Sequence, residues 1–483
     1  MRLNATQRIL GLLLMLFSTT MLPPVLVSLT LNDGAAMAFL YGFAVNLAAG
    51  LAIWFPVRRE ERDLRLRDGF LVVAAFWVVL GTFGAAPLLF VATPAMTLTD
   101  AVFEAVSGLT TTGATVLSGL DRMPPSILYY RQQLQWLGGM GIIVLAVAVL
   151  PMLGVGGMQL YRAETPGPVK DTKLTPRITE TAKALWYIYL GLTALCGFSY
   201  WLAGMDIFDA VCHSFSTVAI GGFSTHDASI GYFDNVWVDV VAIGFMFLAG
   251  INFSLHFMAW RSVSLRHYGQ EPEFRAYCVL LVGLCVFMVL RLFAQGQYDN
   301  AEDVLLNGLF QTVSIATTTG FTTTDFSVWP GALPVVLLFS SFVGGCAGST
   351  AGGMKVIRVL LLYRQGIREV RRLVHPSAEM PVKLGRMAVP QRVVDSVWGF
   401  FAVYVVLFVI MMIVLLATGM DQVTAFSAIA ASLNNLGPGL GEVATGFGSV
   451  NTVGKWVCIF AMLLGRLEIF TLLVLFSRTF WRP

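Results

Sequence analysis

A chain of 483 residues that is 57% hydrophobic and only 12% charged, with a mean hydropathy of +0.75, excludes a water-soluble globular protein. Apolar runs of about 18 or more residues recur along it, each long enough to cross a hydrocarbon core of about 30 Å as a helix. The net charge of +3 is too small and too dispersed for a nucleic-acid partner. Cys196, Cys212, Cys278, Cys285, Cys346 and Cys458 stand singly in apolar surroundings without metal-ligand spacing. They read as small packing residues rather than as disulfides or a metal site.

Arg2 and Arg8 precede an apolar run over 9–29, which mimics a signal peptide but is too long for one and lacks a clean cleavage site. It reads as a retained first span. Spans are expected at 9–30, 36–56, 69–92, 128–152, 184–204, 235–260, 276–295, 332–343 continuing past a break, 393–418 and 454–477. Arg58, Arg59, Arg62, Arg65 and Arg67 crowd one connection; Arg162, Lys170, Lys173 and Arg177 fill the next on that side. Arg261, Arg266 and Arg275 follow, then Arg364, Arg368, Arg371, Arg372, Lys383, Arg386 and Arg392. Ten crossings from a cytoplasmic N-terminus put all of these, and the tail, on the cytoplasmic side.

On the opposite, acidic side lie four segments too short and polar to cross. They read DAVFEAVSGLTTTGAT (100–115), DAVCHSFSTVAIGGFS (209–224), NGLFQTVSIATTTGFT (307–322) and TAFSAIAASLNNLGPG (424–439). The first column, Asp100, Asp209, Asn307 and Thr424, consists of preferred helix N-caps. Ser107, Ser216, Ser314 and Ala431 share a second column, and Gly113, Gly222, Gly320 and Gly437 a third. The following spans carry another glycine register, Gly139, Gly250, Gly345 and Gly465. The repeat predicts units of span, re-entrant helix, glycine turn and span. The fold expected is all-α and polytopic: four pseudo-four-fold units around a central pore, at 69–152, 184–260, 276–375 and 393–483, plus two N-terminal transmembrane helices within 1–57. Duplication without a pore is the bland alternative, but irregular glycine turns at membrane depth then lack a reason.

Desolvating a cation takes several oxygen ligands at fixed distance, and backbone carbonyls supply them without net charge. A glycine allows φ > 0 and lets the backbone turn its carbonyls inward. A helix capped at its outer end aims its partly negative C-terminus at the ion path. The turns carry no Arg or Lys, which argues against an anion pore.

With SGLTTTGAT, AIGGFST, ATTTGFTTTDF, NNLGPG, GGCAGSTAGGMK and GRLEIFTLL, the chain resembles, over essentially its whole length, the membrane subunits of bacterial Trk-type potassium uptake systems, of the Trk/Ktr/HKT superfamily. The resemblance implies a K⁺ filter made by Thr110, Thr111, Thr112 and Gly113; Ala219, Ile220, Gly221 and Gly222; Thr317, Thr318, Thr319 and Gly320; and Asn434, Asn435, Leu436 and Gly437. Some relatives have serine at the first filter glycine and favour Na⁺; Gly113 here points to K⁺. The resemblance also implies K⁺ ions in the filter and no other cofactor, the bacterial inner membrane, a homodimer, and a cytoplasmic, TrkA-like nucleotide-binding regulatory partner.

Two features interrupt the inner half of the path. Gly344, Gly345, Gly348, Ser349, Thr350, Gly352, Gly353 and Lys355 form a cluster that cannot hold a straight helix, at roughly 1 kcal/mol per Gly against Ala. It reads as a mobile gate or as close packing through small residues; a nucleotide loop lacks the required context. The third unit's span is expected to be the one that breaks. Arg466, one residue past Gly465, is costly at that depth and either faces the pore, where relatives place an arginine, or pairs with an acid or carbonyls. Glu468 points elsewhere. His213 suits packing or capping better than proton relay. The basic stretch IRVLLLYRQGIREVRRLVHP faces lipid headgroups or, by resemblance, docks the regulatory partner; GVGGM at 154–158 makes no nucleotide site. The reading for function is a channel-like K⁺ uptake protein. A proton- or Na⁺-coupled symporter on the same scaffold is the alternative. A membrane enzyme needs clustered acids or metal ligands, and the five histidines share no spacing.

Overall fold

The computed structural model describes residues 3–59, 66–144, 178–385 and 387–481. Helices dominate because hydrocarbon offers the backbone no partners, so every N–H and C=O must be paired within the chain. Among the described residues, six helical segments are long and apolar enough to cross a membrane: Leu3–Leu31, Ala36–Val57, Asp68–Phe90, Lys183–Leu202, Pro272–Ala294 and Gln391–Ala417. The helix Pro125–Val144 begins the fourth expected span. The remainder of that span, the GVGGM sequence and the basic residues at 162–177 lie outside the described residues.

Two expected spans turn sharply at a break. Val236–Ala249 meets Phe253–Ser262 at 95°, and Thr452–Arg466 meets Phe470–Phe476 at 107°. In the first bend Asn252 restarts the helix, its side chain accepting from Ser254 N–H at 2.8 Å. In the second, Glu468 takes a left-handed backbone, φ 53°, and the helix cannot continue through it. The third unit's span is broken as expected, between Leu333–Val343 and Val356–Val374, but it is not alone in breaking. What sets it apart is a long irregular segment rather than a sharp corner.

Between the spans stand four short helices, Leu98–Leu109, Ile207–Ala219, Ala301–Ala316 and Gln422–Asn434. They start earlier than the capping column predicted. The N-caps are Thr97, Asp206, Asn300 and Asp421. Asp100, Asp209 and Thr424 instead supply the first-turn N–H groups that the caps accept, at 3.2, 2.7 and 3.1 Å. A cap's side chain bonds a donor two or three residues on, so the column marked the cap's target. Asn307 lies inside its helix, where its amide oxygen accepts from Thr323 Oγ1 at 2.8 Å.

The units do not hold separate cores. One apolar cluster joins the N-terminal helices with the first, third and fourth units, including Phe39, Trp77, Phe103, Leu337 and Phe447. A second joins the second and third units, including Tyr189, Phe253 and Phe310. The C-terminal halves of the short helices are enclosed by protein, with residues 101–109 and 427–434 buried.

Candidate functional site

Each short helix ends in the same closure. The N–H groups of Thr112, Gly221, Thr319 and Leu436 donate to the carbonyls of Ser107, Ser216, Ser314 and Ala431, all at 2.8 Å. The second serine column is thus a backbone position, which explains why alanine serves at the fourth. The closure needs a left-handed residue just before that donor. Thr111, Ile220, Thr318 and Asn435 supply it at φ 54°, 54°, 67° and 54°. Three of these are β-branched, a strain of order 1–3 kcal/mol each that persists only where the surroundings over-determine it.

The last residue of each turn is left-handed again: Gly113, Gly222, Gly320 and Gly437 at φ 79°, 76°, 85° and 96°. A Cβ at Gly113 would meet the Gly221 carbonyl oxygen at 2.0 Å, and one at Gly222 the Thr319 oxygen at 2.0 Å. At Gly320 it would meet the Leu436 oxygen at 2.1 Å, and at Gly437 the Thr112 oxygen at 2.9 Å. Every glycine therefore faces the third residue of the next turn, and the fourth faces the first. The turns close into a ring.

Side chains of the ring are held by the protein around it. Thr110 and Thr112 share a hydroxyl contact of 2.7 Å, and Thr317 and Thr319 one of 2.8 Å. Thr110 and Thr317 also donate to the Val106 and Val313 carbonyls, both at 2.7 Å. In the second turn Gln135 Nε2 donates to the Gly221 carbonyl at 2.6 Å. In the fourth, Asn435 Nδ2 reaches Thr112 Oγ1 at 2.9 Å, and Asn434 is bonded to Tyr404 and Ser341. Ala219 is buried with the rest.

Outside the ring opens a cavity of about 320 Å³ lined by all four glycines and by Arg131 and His226. His226 bridges Asp121 at 2.6 Å and Asp209 at 3.1 Å and stacks on Tyr232 with ring centres 3.4 Å apart. Burial pulls its pKa down, but the two carboxylate partners outweigh this and hold it above its ordinary 6.5. His213 is buried against the Asp209 carbonyl and Ser224 Oγ, both at 2.9 Å, a pinning role. Arg131 and Glu104 form a buried ion pair at 2.6 Å. Sequence reasoning missed both residues, although an arginine within an apolar span is a signal.

Inside the ring lies the segment 344–355. Gly344, Gly348 and Gly353 are left-handed, at φ 67°, 74° and 71°. Gly352 N–H donates to Thr318 Oγ1 at 2.7 Å and Gly353 N–H to the Asn434 carbonyl at 3.0 Å. Thr350 Oγ1 donates to the Val218 carbonyl at 2.9 Å. The Gly348 carbonyl accepts from Phe253 N–H at 3.0 Å. Ser349 Oγ donates to the Cys346 carbonyl at 2.6 Å, the Lys355 ammonium to the Ala351 carbonyl, and Gly345 accepts from Val356 N–H at 3.0 Å. One segment of one unit thus touches the turns of the second, third and fourth.

Arg466 is buried, donating to the Thr350 carbonyl at 3.1 Å and the Gly138 carbonyl at 3.0 Å. It is paired with carbonyls, one of them in the interrupted segment. Glu468 points away, to Arg358 at 2.5 Å. The inner glycine register needs one adjustment. A Cβ at Gly465 would lie 2.1 Å from the Leu433 oxygen, and one at Gly138 would lie 1.8 Å from the Leu109 oxygen. Gly138, not Gly139, is therefore the counterpart of Gly465. Glu273, also missed, clasps the segment from both ends: Oε1 accepts from Ala347 N–H at 2.7 Å and Ile357 N–H at 3.2 Å.

A multi-span helical bundle whose four buried short helices end in a closed ring of like turns defines a polytopic membrane protein organised around a central axis. The family profile TrkH, described as a cation transport protein, matches residues 35–482. The chain is 60% identical over the full length of both proteins to the Trk system potassium uptake protein TrkH of Vibrio parahaemolyticus. It is 42% identical to the Trk system potassium uptake protein TrkG of Escherichia coli, over 98% of this chain and 97% of that one. The crystal structure of the potassium transporter TrkH from Vibrio parahaemolyticus matches with a TM-score of 0.93 and 57% identity, over 100% of both chains. The chain belongs to the TrkH family of cation transport proteins.

Proposed function

We propose that this protein takes up K⁺ across the bacterial inner membrane through the ring of four turns, as its Trk-system relatives are named for doing. The closed ring, each glycine set against the third carbonyl of the next turn, carries this reading. Stacked rings of carbonyls replace the hydration shell of K⁺, and four helix C-termini add partial negative charge around it. The hydroxyls of Thr110, Thr112, Thr317 and Thr319 and the Asn434 amide are bonded to protein groups, which favours backbone as the ligand.

The segment 344–355 is the gate, seated beneath the filter and held by Arg466 and Glu273. The helix Val356–Val374 leads directly from it into the basic arm. It carries the signal from a TrkA-like nucleotide-binding subunit, with the membrane subunit a homodimer. The crowding of basic residues on one side supports cytoplasmic termini.

Purified protein in liposomes tests this reading, with K⁺ and Na⁺ fluxes measured for Gly113→Ser and Gly320→Ser. Both variants are expected to admit Na⁺ or to abolish K⁺ flux, because each adds a side chain where a neighbouring carbonyl already sits. Unchanged K⁺ and Na⁺ fluxes in both would sink the filter assignment. K⁺ flux in wild-type protein driven by its own gradient alone is expected; flux that stalls without a proton or Na⁺ gradient would replace the channel with a coupled transporter.

A further inference from the structure

One register of the short helices grips the strand that leaves each turn. Glu104 accepts from Thr115 Oγ1 at 2.9 Å and Val116 N–H at 3.0 Å. His213, in the same register, contacts Ser224 Oγ at 2.9 Å, and Gln311 Nε2 donates to the Thr324 carbonyl at 3.0 Å. In the fourth unit the adjacent Ser427 does this, donating to the Leu440 carbonyl at 3.0 Å and accepting its N–H at 2.9 Å. Four different side chains thus perform one task. Only the first is an acid.

Glu104 is 0% and its partner Arg131 1% exposed. Arg131 also donates to Thr115 Oγ1 at 3.1 Å and, across the unit boundary, to the Ser224 carbonyl at 3.3 Å. Its guanidinium lies over the Phe223 ring, 4.2 Å from the centroid. The pair therefore ties the strand beyond Gly113 to the strand beyond Gly222. Arg131 also lines the outer cavity, so the same carboxylate neutralises a cation at the mouth of a cation path.

We propose that Glu104 and Arg131 are a positioning pair that fixes the first turn of the ring against the second, and thereby sets discrimination between K⁺ and Na⁺. The proposal rests on the filter reading above. A buried charge-assisted network is stiff when every member is satisfied, and removing one member leaves an uncompensated charge. Discrimination by carbonyl rings depends on their number and spacing, and this pair is a fully buried charged tie between two of the four turns.

The test uses full-length protein in liposomes, comparing K⁺ and Na⁺ fluxes and thermal stability for Glu104→Gln, Thr115→Val, and the double variant Glu104→Gln with Arg131→Met. Glu104→Gln is expected to lower the K⁺ to Na⁺ flux ratio by about tenfold, which corresponds to about 1.4 kcal/mol. It should also slow K⁺ entry, because the guanidinium at the mouth is left unpaired. Thr115→Val keeps the ion pair but removes the Thr115 hydroxyl from it, leaving Val116 N–H as Glu104's bond to the strand, with an expected loss of about threefold, the scale of one net hydrogen bond. The double variant removes both charges; it is expected to regain thermal stability and the rate of K⁺ entry without regaining the ratio. Should Glu104→Gln fail to fold, the other two variants carry the decision. A wild-type ratio in Thr115→Val and in the double variant, while Gly113→Ser alters it, overturns the positioning role and leaves the filter standing. A wild-type ratio in Gly113→Ser as well removes the filter and the pair's role together.

Discussion

The outer and inner halves of the central axis are built by opposite rules. In the outer half, four turns of different sequence, TTTG, AIGG, TTTG and NNLG, adopt one backbone. Each has left-handed residues at its second and fourth positions and the same 2.8 Å closure onto its helix. In the inner half the units diverge. The second and fourth bend sharply, by 95° and 107°, while the third unravels into the segment 344–355. A ring that acts through its backbone needs equal backbones and tolerates unequal side chains. A single segment crossing beneath it needs the reverse: each neighbour must offer a different partner, and here these are Val218, Thr318, Asn434 and Arg466.

That contrast can be broken from the inner side. Gly352 is where the segment presses on the ring, since a Cβ there would lie 1.9 Å from the Asn434 carbonyl oxygen. Gly352→Ala is expected to push the segment off the ring and raise K⁺ leak from loaded liposomes by about a hundredfold, the effect of roughly 2.7 kcal/mol taken from the closed state. Deleting 348–352 should act in the same direction, and a folded deletion with wild-type flux favours packing over gating. Arg466→Gln breaks the guanidinium bridge between the Thr350 and Gly138 carbonyls, and a smaller rise, about tenfold, is expected in the same leak assay. If leak stays at the wild-type level, the arginine acts on the ions rather than on the segment.

Glu273→Ala sharpens the comparison by stability. It strands the buried Ala347 and Ile357 N–H groups, at about 1–3 kcal/mol each, and the melting temperature should fall while the ring's ion preference holds. A changed K⁺ to Na⁺ ratio in that variant would show that the halves are not separable.

The smallest effect is expected outside the ring. His226 has its pKa raised in the folded protein by Asp121 and Asp209. Its contribution to stability is therefore complete below its ordinary 6.5 and lost as external pH climbs through the raised value. Asp227, which accepts from Gly119 N–H at 2.9 Å, completes the charged surroundings of this bridge. Thermal stability of the wild type should decline modestly on alkalinisation and that of His226→Gln should not; parallel profiles would remove the bridge from the account.

The sequence made the ring legible because its fourth position demands glycine in every unit, and a required residue type leaves a column. Capping left a column too, but in three units one displaced from the caps themselves, since Thr97, Asp206 and Asp421 are interchangeable and aligned less visibly than their targets, while Asn300 makes no side-chain cap bond. The inner glycine register is uneven, with Gly139 matching Gly250 at a tyrosine hydroxyl and Gly138 matching Gly465 at a helix carbonyl, because the connections between turn and span differ in length from unit to unit. The bends near Gly250 and Glu468 were hidden for another reason. A corner needs only a residue or two out of helical conformation, and apolar composition runs straight through it. The outer grip was invisible because glutamate, histidine, glutamine and serine can each fasten a strand, so no shared letter marks the register.

The segment beneath the ring donates a hydrogen bond to the Val218 carbonyl, another to the Thr318 hydroxyl and a third to the Asn434 carbonyl. These groups belong to the same turns, or lie next to them, whose backbones the proposal assigns to the ions. Binding at one end and closure at the other therefore meet at neighbouring groups and share the Asn434 carbonyl, and linkage between them is reciprocal. Whatever factor departure of the segment applies to the ring's affinity for K⁺, occupancy by K⁺ applies the same factor to the segment's departure. Under the proposed function, a membrane subunit of this design would sense its own cargo before any partner acts on it.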